Sequence, residues 1–160
     1  MNEKTARTSA AGWRQVHLGY WLGASQQRFD ARVLSLMAHN DAVPLGLSNL
    51  AARGRLTASH IHITRHLALE GSRLTELARR AGVSKQAMGK LVQECEAWGL
   101  VNRSADARDA RARRITFTPL GMNWLQAFGQ AVAQAEAEFR AAVGPEVATV
   151  VAMGLEAYAG

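Results

Sequence analysis

The chain has 160 residues, 48% of them apolar, with 19 Lys+Arg against 13 Asp+Glu and a formal net charge of +6. It is long enough for one domain with a real core, too apolar for a disordered chain, and has no apolar run near the ~20 residues that span a bilayer. The single cysteine, Cys95, excludes an intrachain disulfide framework.

The start, Met1 to Gly12, is polar and lacks a signal-peptide core. No Gly-rich phosphate loop, His-Glu-x-x-His, Cys-x-x-Cys or Gly-x-Ser-x-Gly occurs. The expectation is a cytoplasmic protein, not an enzyme, with no metal, no cofactor and no membrane partner. The charge is uneven. Residues 79–114 carry nine basic and four acidic groups, net +5, whereas 115–160 carry Arg140 against Glu136, Glu138, Glu146 and Glu156, net −3. Residues 1–78 carry nine basic and five acidic groups, net +4. Such asymmetry points to a polyanion-binding face. A solvated Arg-rich surface is the alternative, since 16 of the 19 basic residues are Arg.

Residues 1–11 read as a mobile tail. Trp13 to His39 lacks proline and reads as one long helix with two apolar stripes. One is Leu18, Leu22, Phe29, Val33 and Leu36; the other is Trp13, Tyr20, Ala24, Ala31, Leu34 and Ala38. A helix apolar on two faces needs cover on two sides, the second plausibly from another protomer. Asn40-Asp41 and Pro44 break it. A short helix over about Leu45 to Arg53 stops at Gly54. Thr57 or Ser59 caps the next helix, which runs to about Leu69. Glu70-Gly71-Ser72 is a turn.

Leu74 to Ala81 reads as a short helix capped by Thr75. Gly82-Val83 turns the chain, and Ser84 caps a second helix to about Trp98, ended by Gly99. Leu77, Ala81, Val83, Met88 and Leu91 are apolar, and Ala78 is small where two helices cross. This is a helix-turn-helix pattern, with an ordinary helical hairpin as the alternative. After Gly99, Leu100 to Arg103 and Arg113 to Thr118 read as strands joined by the polar loop Ser104–Ala112. A helix-turn-helix followed by a two-stranded hairpin is a winged helix. Its Arg-rich tip has no apolar residue larger than alanine, so it must project. Thr118-Pro119 starts a helix with the stripe Trp124, Phe128, Val132, Ala135 and Phe139, reaching about Val143. Gly144-Pro145 breaks it, and Glu146 to Tyr158 forms a last helix with Val147, Val150, Val151, Leu155 and Tyr158 at helical spacing.

With Leu74-Thr75-Glu76-Leu77-Ala78-Arg79-Arg80-Ala81-Gly82-Val83-Ser84-Lys85-Gln86-Ala87-Met88, Gly99-Leu100-Val101, the wing Asp106-Ala107-Arg108-Asp109-Ala110-Arg111 and Phe117-Thr118-Pro119-Leu120-Gly121 in place, the sequence resembles the MarR family of winged-helix regulators. The motifs cover about residues 56–121. It departs from the family at Asn102-Arg103-Ser104-Ala105, where a proline is often found in the wing, and in the extra helix near 45–53. The resemblance implies a mainly α fold with a small β-hairpin. N-terminal helices (12–55) and C-terminal helices (119–160) would dimerise around a winged helix-turn-helix lobe (56–118). It further implies a homodimer on a palindromic double-stranded operator, released by a small ligand or oxidant.

The second helix of the pair should read base edges in the major groove. Its outward candidates are Ser84, Lys85, Gln86, Gly89 and Lys90. Gln86 suits adenine, and Lys85 or Lys90 suits guanine or phosphate. Gly89 would permit close approach to the backbone, or is a neutral surface glycine. The wing should reach the flanking minor groove. The resemblance places Arg111 in that groove, with Asp109 bracing it or Arg108. Arg103, Arg113 and Arg114 would lie along phosphates, although any one of these arginines could be a solvated charge.

Trp13, His17, Tyr20 and Trp21, with His62, are candidates to line a pocket for a small aromatic effector, although aromatics at helical spacing are more often core. His60, His62 and His66 suggest a metal site, but at most two of them converge, and metals need three or four ligands. Cys95 shares a face with Met88, Leu91 and Trp98, so it reads as a buried, inert thiol rather than a redox sensor. The leading reading is a ligand-released, sequence-specific repressor. A sequence-neutral DNA architectural protein and a winged-helix protein-interaction module are the alternatives.

Overall fold

The computed structural model describes residues 12–39, 48–49, 54–106 and 109–160, with side chains for all of these except 106 and 109–112. The expected tail 1–11 lies outside the described residues. So does the expected helix near 45–53, apart from Ser48 and Asn49, which are helical.

The long N-terminal helix is not continuous. Gly12–Gln15 forms a 3₁₀ turn, and α1 spans Leu18–Ala38. The chain breaks at His17, whose backbone is extended and whose Nδ1 accepts the Tyr20 amide at 3.2 Å. An N-cap acceptor satisfies a first-turn amide and so starts a new helix there. α1 buries Asp30, Val33 and Met37, while Phe29, Leu34 and Leu36 pack part-buried against the same core. Both expected stripes lose their N-terminal members to solvent: Trp13, Leu18 and Tyr20 are exposed, as is Trp21 beside them.

α2 spans Ala58–His66. Thr57 caps it in a capping box in which His60 takes the place usually held by Glu or Gln: the Thr57 amide donates to His60 Nδ1 at 3.1 Å. The buried Asp30 carboxylate accepts a hydrogen bond from Arg65 at 2.5 Å, which ties α1 to α2. After α2 the chain enters a strand that the sequence pattern does not suggest. β1, Ser72–Arg73, pairs antiparallel with β3 in the register Ser72↔Ile115. This pairing sets the entry to α3, Leu74–Arg80, whose N-cap is Arg73 with no side-chain cap. The expected cap at Thr75 is therefore incorrect; Thr75 lies inside the first turn.

The α3–α4 turn follows its local chemistry. Gly82 has φ +65°, the Val83 amide reaches the Ala78 carbonyl, and Ser84 Oγ accepts the Ala87 amide at 3.1 Å. α4 spans Lys85–Ala97 and ends in a Schellman motif. Gly99, at φ +74°, donates to the Glu96 carbonyl, and Leu100 donates to that of Cys95. β2 (Val101–Asp106) and β3 (Asp109–Phe117) form the wing in the register Val101↔Phe117 to Asp106↔Asp109. The sheet has three strands in the order β1-β3-β2, not the two expected.

Thr118 Oγ1 accepts the Gly121 amide at 2.9 Å and caps α5, Pro119–Val143. α6 spans Pro145–Ala159. α5 buries Trp124, Ala127, Phe128, Ala131 and Ala135; Phe139, expected on the same stripe, is exposed. One core joins α1 to the winged-helix lobe through Val33, Met37, Ile61, Leu77, Met88, Val92, Val101, Ile115 and Trp124. Among the described residues no helix is long and apolar enough to cross a membrane.

Candidate nucleic-acid interface

α4 is divided along its length. Met88, Val92 and Cys95 face the core, while Ser84, Lys85, Gln86, Ala87 and Lys90 are exposed. Periodicity produces this split: the buried residues recur at i, i+4 and i+7, which leaves the opposite face to water. Gln86, Lys90 and Gln93 share that outer face, and all three are exposed. Gln93 was missed by the sequence reading, although its i+7 spacing from Gln86 signals it. Two cations, two amides and the helix N-terminus therefore line one solvent-facing strip, and such a set can pair with base edges and phosphate.

The wing follows α4 directly. Arg113 is exposed on β3. Arg114 Nε donates to the Glu70 carbonyl at 2.8 Å and ties β3 to the turn before β1. Arg103, on β2, is turned onto α4. Its Nη2 donates to the Gly89 carbonyl at 3.3 Å, and its Nε lies 3.2 Å from Glu96 Oε2. Arg108 and the side chains of Asp109 and Arg111 lie outside the described residues; the backbone places 109 and 111 in the outer part of β3. Gly89 is half-buried, and a Cβ there would meet Leu74 Cδ2 at 3.8 Å. Its open side therefore faces α3 rather than solvent, against the expectation of close backbone approach.

His60 is buried and bridges two helices. Nδ1 accepts from Thr57, so Nε2 carries the proton and donates to Glu94 Oε2 at 2.8 Å; the ring packs on Trp98 at 4.8 Å between centroids. Local spacing suggests only a metal-ligand role for His60, because its partner Glu94 lies 34 residues away. His62 and His66 stack at 6.0 Å. Burial and the neighbouring His62 hold the His66 pKa below its ordinary value. Among the described residues no group of three or more His, Cys, Asp or Glu could hold a metal. Burial pushes the Cys95 thiol up to about 12, with Glu94 adding to the shift, so it is protonated at neutral pH, as expected of an inert thiol.

Trp13, His17, Tyr20 and Trp21 do form a chain of ring contacts, at 5.7, 6.4 and 5.1 Å in order. They are exposed and not enclosed.

A sequence profile of the MarR family matches residues 56–112, which run from the residue before the α2 cap into the second strand of the wing. Over that segment the chain is similar to the MarR family. A search of curated proteins found no match. Among solved structures, the transcriptional repressor CouR bound to a 23-mer DNA duplex superposes with a TM-score of 0.70 at 21% identity, covering 94% of this chain and 97% of that one. MarR of E. coli in its apo form gives 0.67 at 18% identity, covering 89% and 97%. The MarR family protein Rv2887 of Mycobacterium tuberculosis, solved with p-aminosalicylic acid, gives 0.61 at 25% identity, covering 91% and 100%. The MarR-type architecture thus extends beyond the matched segment to the flanking helices.

Proposed function

We propose that this chain is a homodimeric, sequence-specific DNA-binding regulator, a repressor released by a small aromatic ligand. The observation that carries the reading is the exposed strip Ser84, Lys85, Gln86 and Lys90, backed by a buried apolar face and followed directly by an Arg-rich wing. α4 enters the major groove. Gln86 pairs with adenine, and Lys85 and Lys90 take guanine or phosphate. Arg113 follows the backbone, and Arg108, Asp109 and Arg111 bring the wing tip into the flanking minor groove. CouR was solved on a DNA duplex, which supports a nucleic-acid partner for the shared fold. No catalytic constellation is needed.

The helices of 12–55 and 119–160 form the dimer. A palindrome with half-sites about one helical turn apart is the matching target. With roughly four phosphate contacts per protomer, log K should fall with log salt at a slope of about −7. Rv2887 was solved with p-aminosalicylic acid. An aromatic acid is the ligand class we assign, received beside Trp13, His17, Tyr20, Trp21 and His62. Such a ligand releases DNA only if it binds one spacing of the two recognition helices better than the other.

The test is selection of bound duplexes from a random pool at physiological salt. Enrichment of a palindrome with the stated spacing is expected, with relaxed base preference for Gln86→Ala and a smaller salt slope for Arg111→Ala. Pools that are bound but unenriched would favour a sequence-neutral architectural protein. Absence of binding would favour a protein partner for the winged helix.

A further inference from the structure

The position of Arg103 does not fit a simple phosphate ligand. Its strand is paired at Arg103↔Ile115, so its backbone is fixed by the sheet. Its side chain crosses to α4 and meets two acceptors seven residues apart, the Gly89 carbonyl at 3.3 Å and Glu96 Oε2 at 3.2 Å. Those acceptors converge for a geometric reason. Helix carbonyls point toward the C-terminus and helix side chains lean toward the N-terminus, so Gly89 O and the Glu96 carboxylate approach one spot from opposite ends. A planar guanidinium offers Nε and Nη2 as two donors held in a fixed fork, one for each acceptor, whereas an ammonium is a single point with rotating donors and no fork. We infer that Arg103 is a positioning residue, a strut that fixes the angle between the wing and the recognition helix and thereby the offset between minor-groove and major-groove contacts.

This deepens the DNA-binding reading and rests on it. The two readings of Arg103 make opposite predictions for its partner. If Arg103 serves phosphate, Glu96 competes with DNA for it, and Glu96→Ala both frees the arginine and removes a negative charge near the duplex; binding then tightens. If Arg103 is a strut, Glu96→Ala loosens the wing, and binding to the selected operator weakens despite the electrostatic gain. Glu96 is exposed on the helix, and alanine is a better helix former there, so the fold survives the substitution.

The experiment has a DNA-free arm and a DNA arm. In the free protein, amide exchange in the wing arms, Ser104–Ala105 and 109–113, should rise in Arg103→Ala and in Glu96→Ala. The amides of α5 should be unchanged. Unaltered wing exchange would overturn the strut whatever the protein binds.

On the selected duplex, each single variant should lose on the order of fivefold in affinity, with the loss concentrated at the flanking bases that the wing reads. The double variant should be no worse than Arg103→Ala alone. Arg103→Lys should fail to rescue, because it keeps the charge and loses the fork. Tighter binding by Glu96→Ala, or full rescue by Arg103→Lys, would overturn the inference while leaving the DNA-binding reading intact. If the unmodified protein bound no duplex, the DNA-binding reading would fall, and the exchange arm would still decide whether the strut exists.

Discussion

Two glycines of the lobe show how position decides the sign of one substitution. Gly121 lies in the first turn of α5 against the end of α4, and a Cβ there would stand 1.9 Å from the Leu100 carbonyl oxygen. The obstacle is backbone, not the far end of a flexible side chain, and the Phe117 ring closes in at 3.1 Å. Gly121→Ala should therefore cost on the order of 3 kcal/mol, as overpacking does. For a chain of this length, that lowers the melting temperature by roughly 6–12 °C. Gly89 is the opposite case. It sits inside α4 in ordinary helical geometry, and its added Cβ would meet Leu74 at a comfortable 3.8 Å. Gly89→Ala should stabilise by about 1 kcal/mol through helix propensity. Its Cβ points at α3, so affinity for the selected duplex should not change. A melting experiment with both variants separates the cases, and a fall in DNA affinity for Gly89→Ala would restore the close-approach reading of that glycine.

At the scale of elements, the packing of α1 on α5 is fastened by Arg32, which makes a bidentate contact with Glu138, Nε–Oε2 at 2.7 Å and Nη2–Oε1 at 2.8 Å. Hydrogen bonds from Arg32 and Gln134 hold the Glu138 carboxyl well below its ordinary 4.5, at about 2. A carboxylate with a depressed pKa stabilises the fold above its unfolded value and loses that contribution as the pH falls through the folded one. Glu138→Gln should therefore melt below the unmodified protein at pH 7. The gap should close between about pH 4.5 and pH 2, the two values that bound the shift. An equal gap at pH 7 and pH 2 would show that the pair does not couple to folding. Both side chains are substantially exposed, so the effect is small and salt-sensitive.

The elements also show what a one-dimensional reading can carry. The pair α3–α4, the Schellman end of α4 and the Thr118-Pro119 start of α5 were readable because caps, left-handed glycines and helical spacing are local chemistry. β1 was not, because two residues become a strand only when β3 lies beside them. The break at His17 was missed because histidine is an unusual cap. The exposed residues of α4 followed from periodicity, whereas the Arg103–Glu96 and His60–Glu94 contacts depend on how the sheet and α2 come to rest on α4, and no spacing encodes that.

At the scale of the whole molecule, charge and apolar surface separate. The net positive charge is densest between residues 79 and 114, and the acidic end carries uncovered apolar side chains. α6 buries Ala148 and leaves Val147, Val150, Met153, Leu155 and Tyr158 exposed, as Trp13, Leu18 and Trp21 are at the start of α1. A 15-residue helix is marginal in water without packing on its apolar face. Apolar surface of this kind on the first and last described elements is what the proposed dimer would cover with a second copy. Placing two carboxylates there, in Val150→Glu with Met153→Glu, should halve the mass measured by light scattering. The lobe should stay folded by circular dichroism, because neither residue touches its core. A monomer keeps half the phosphate contacts, so the salt slope should drop from about −7 to about −3.5, with loss of preference for the second half-site. An unchanged dimer mass for the double variant would move the interface elsewhere, and a monomeric unmodified protein would remove the basis for a palindromic target.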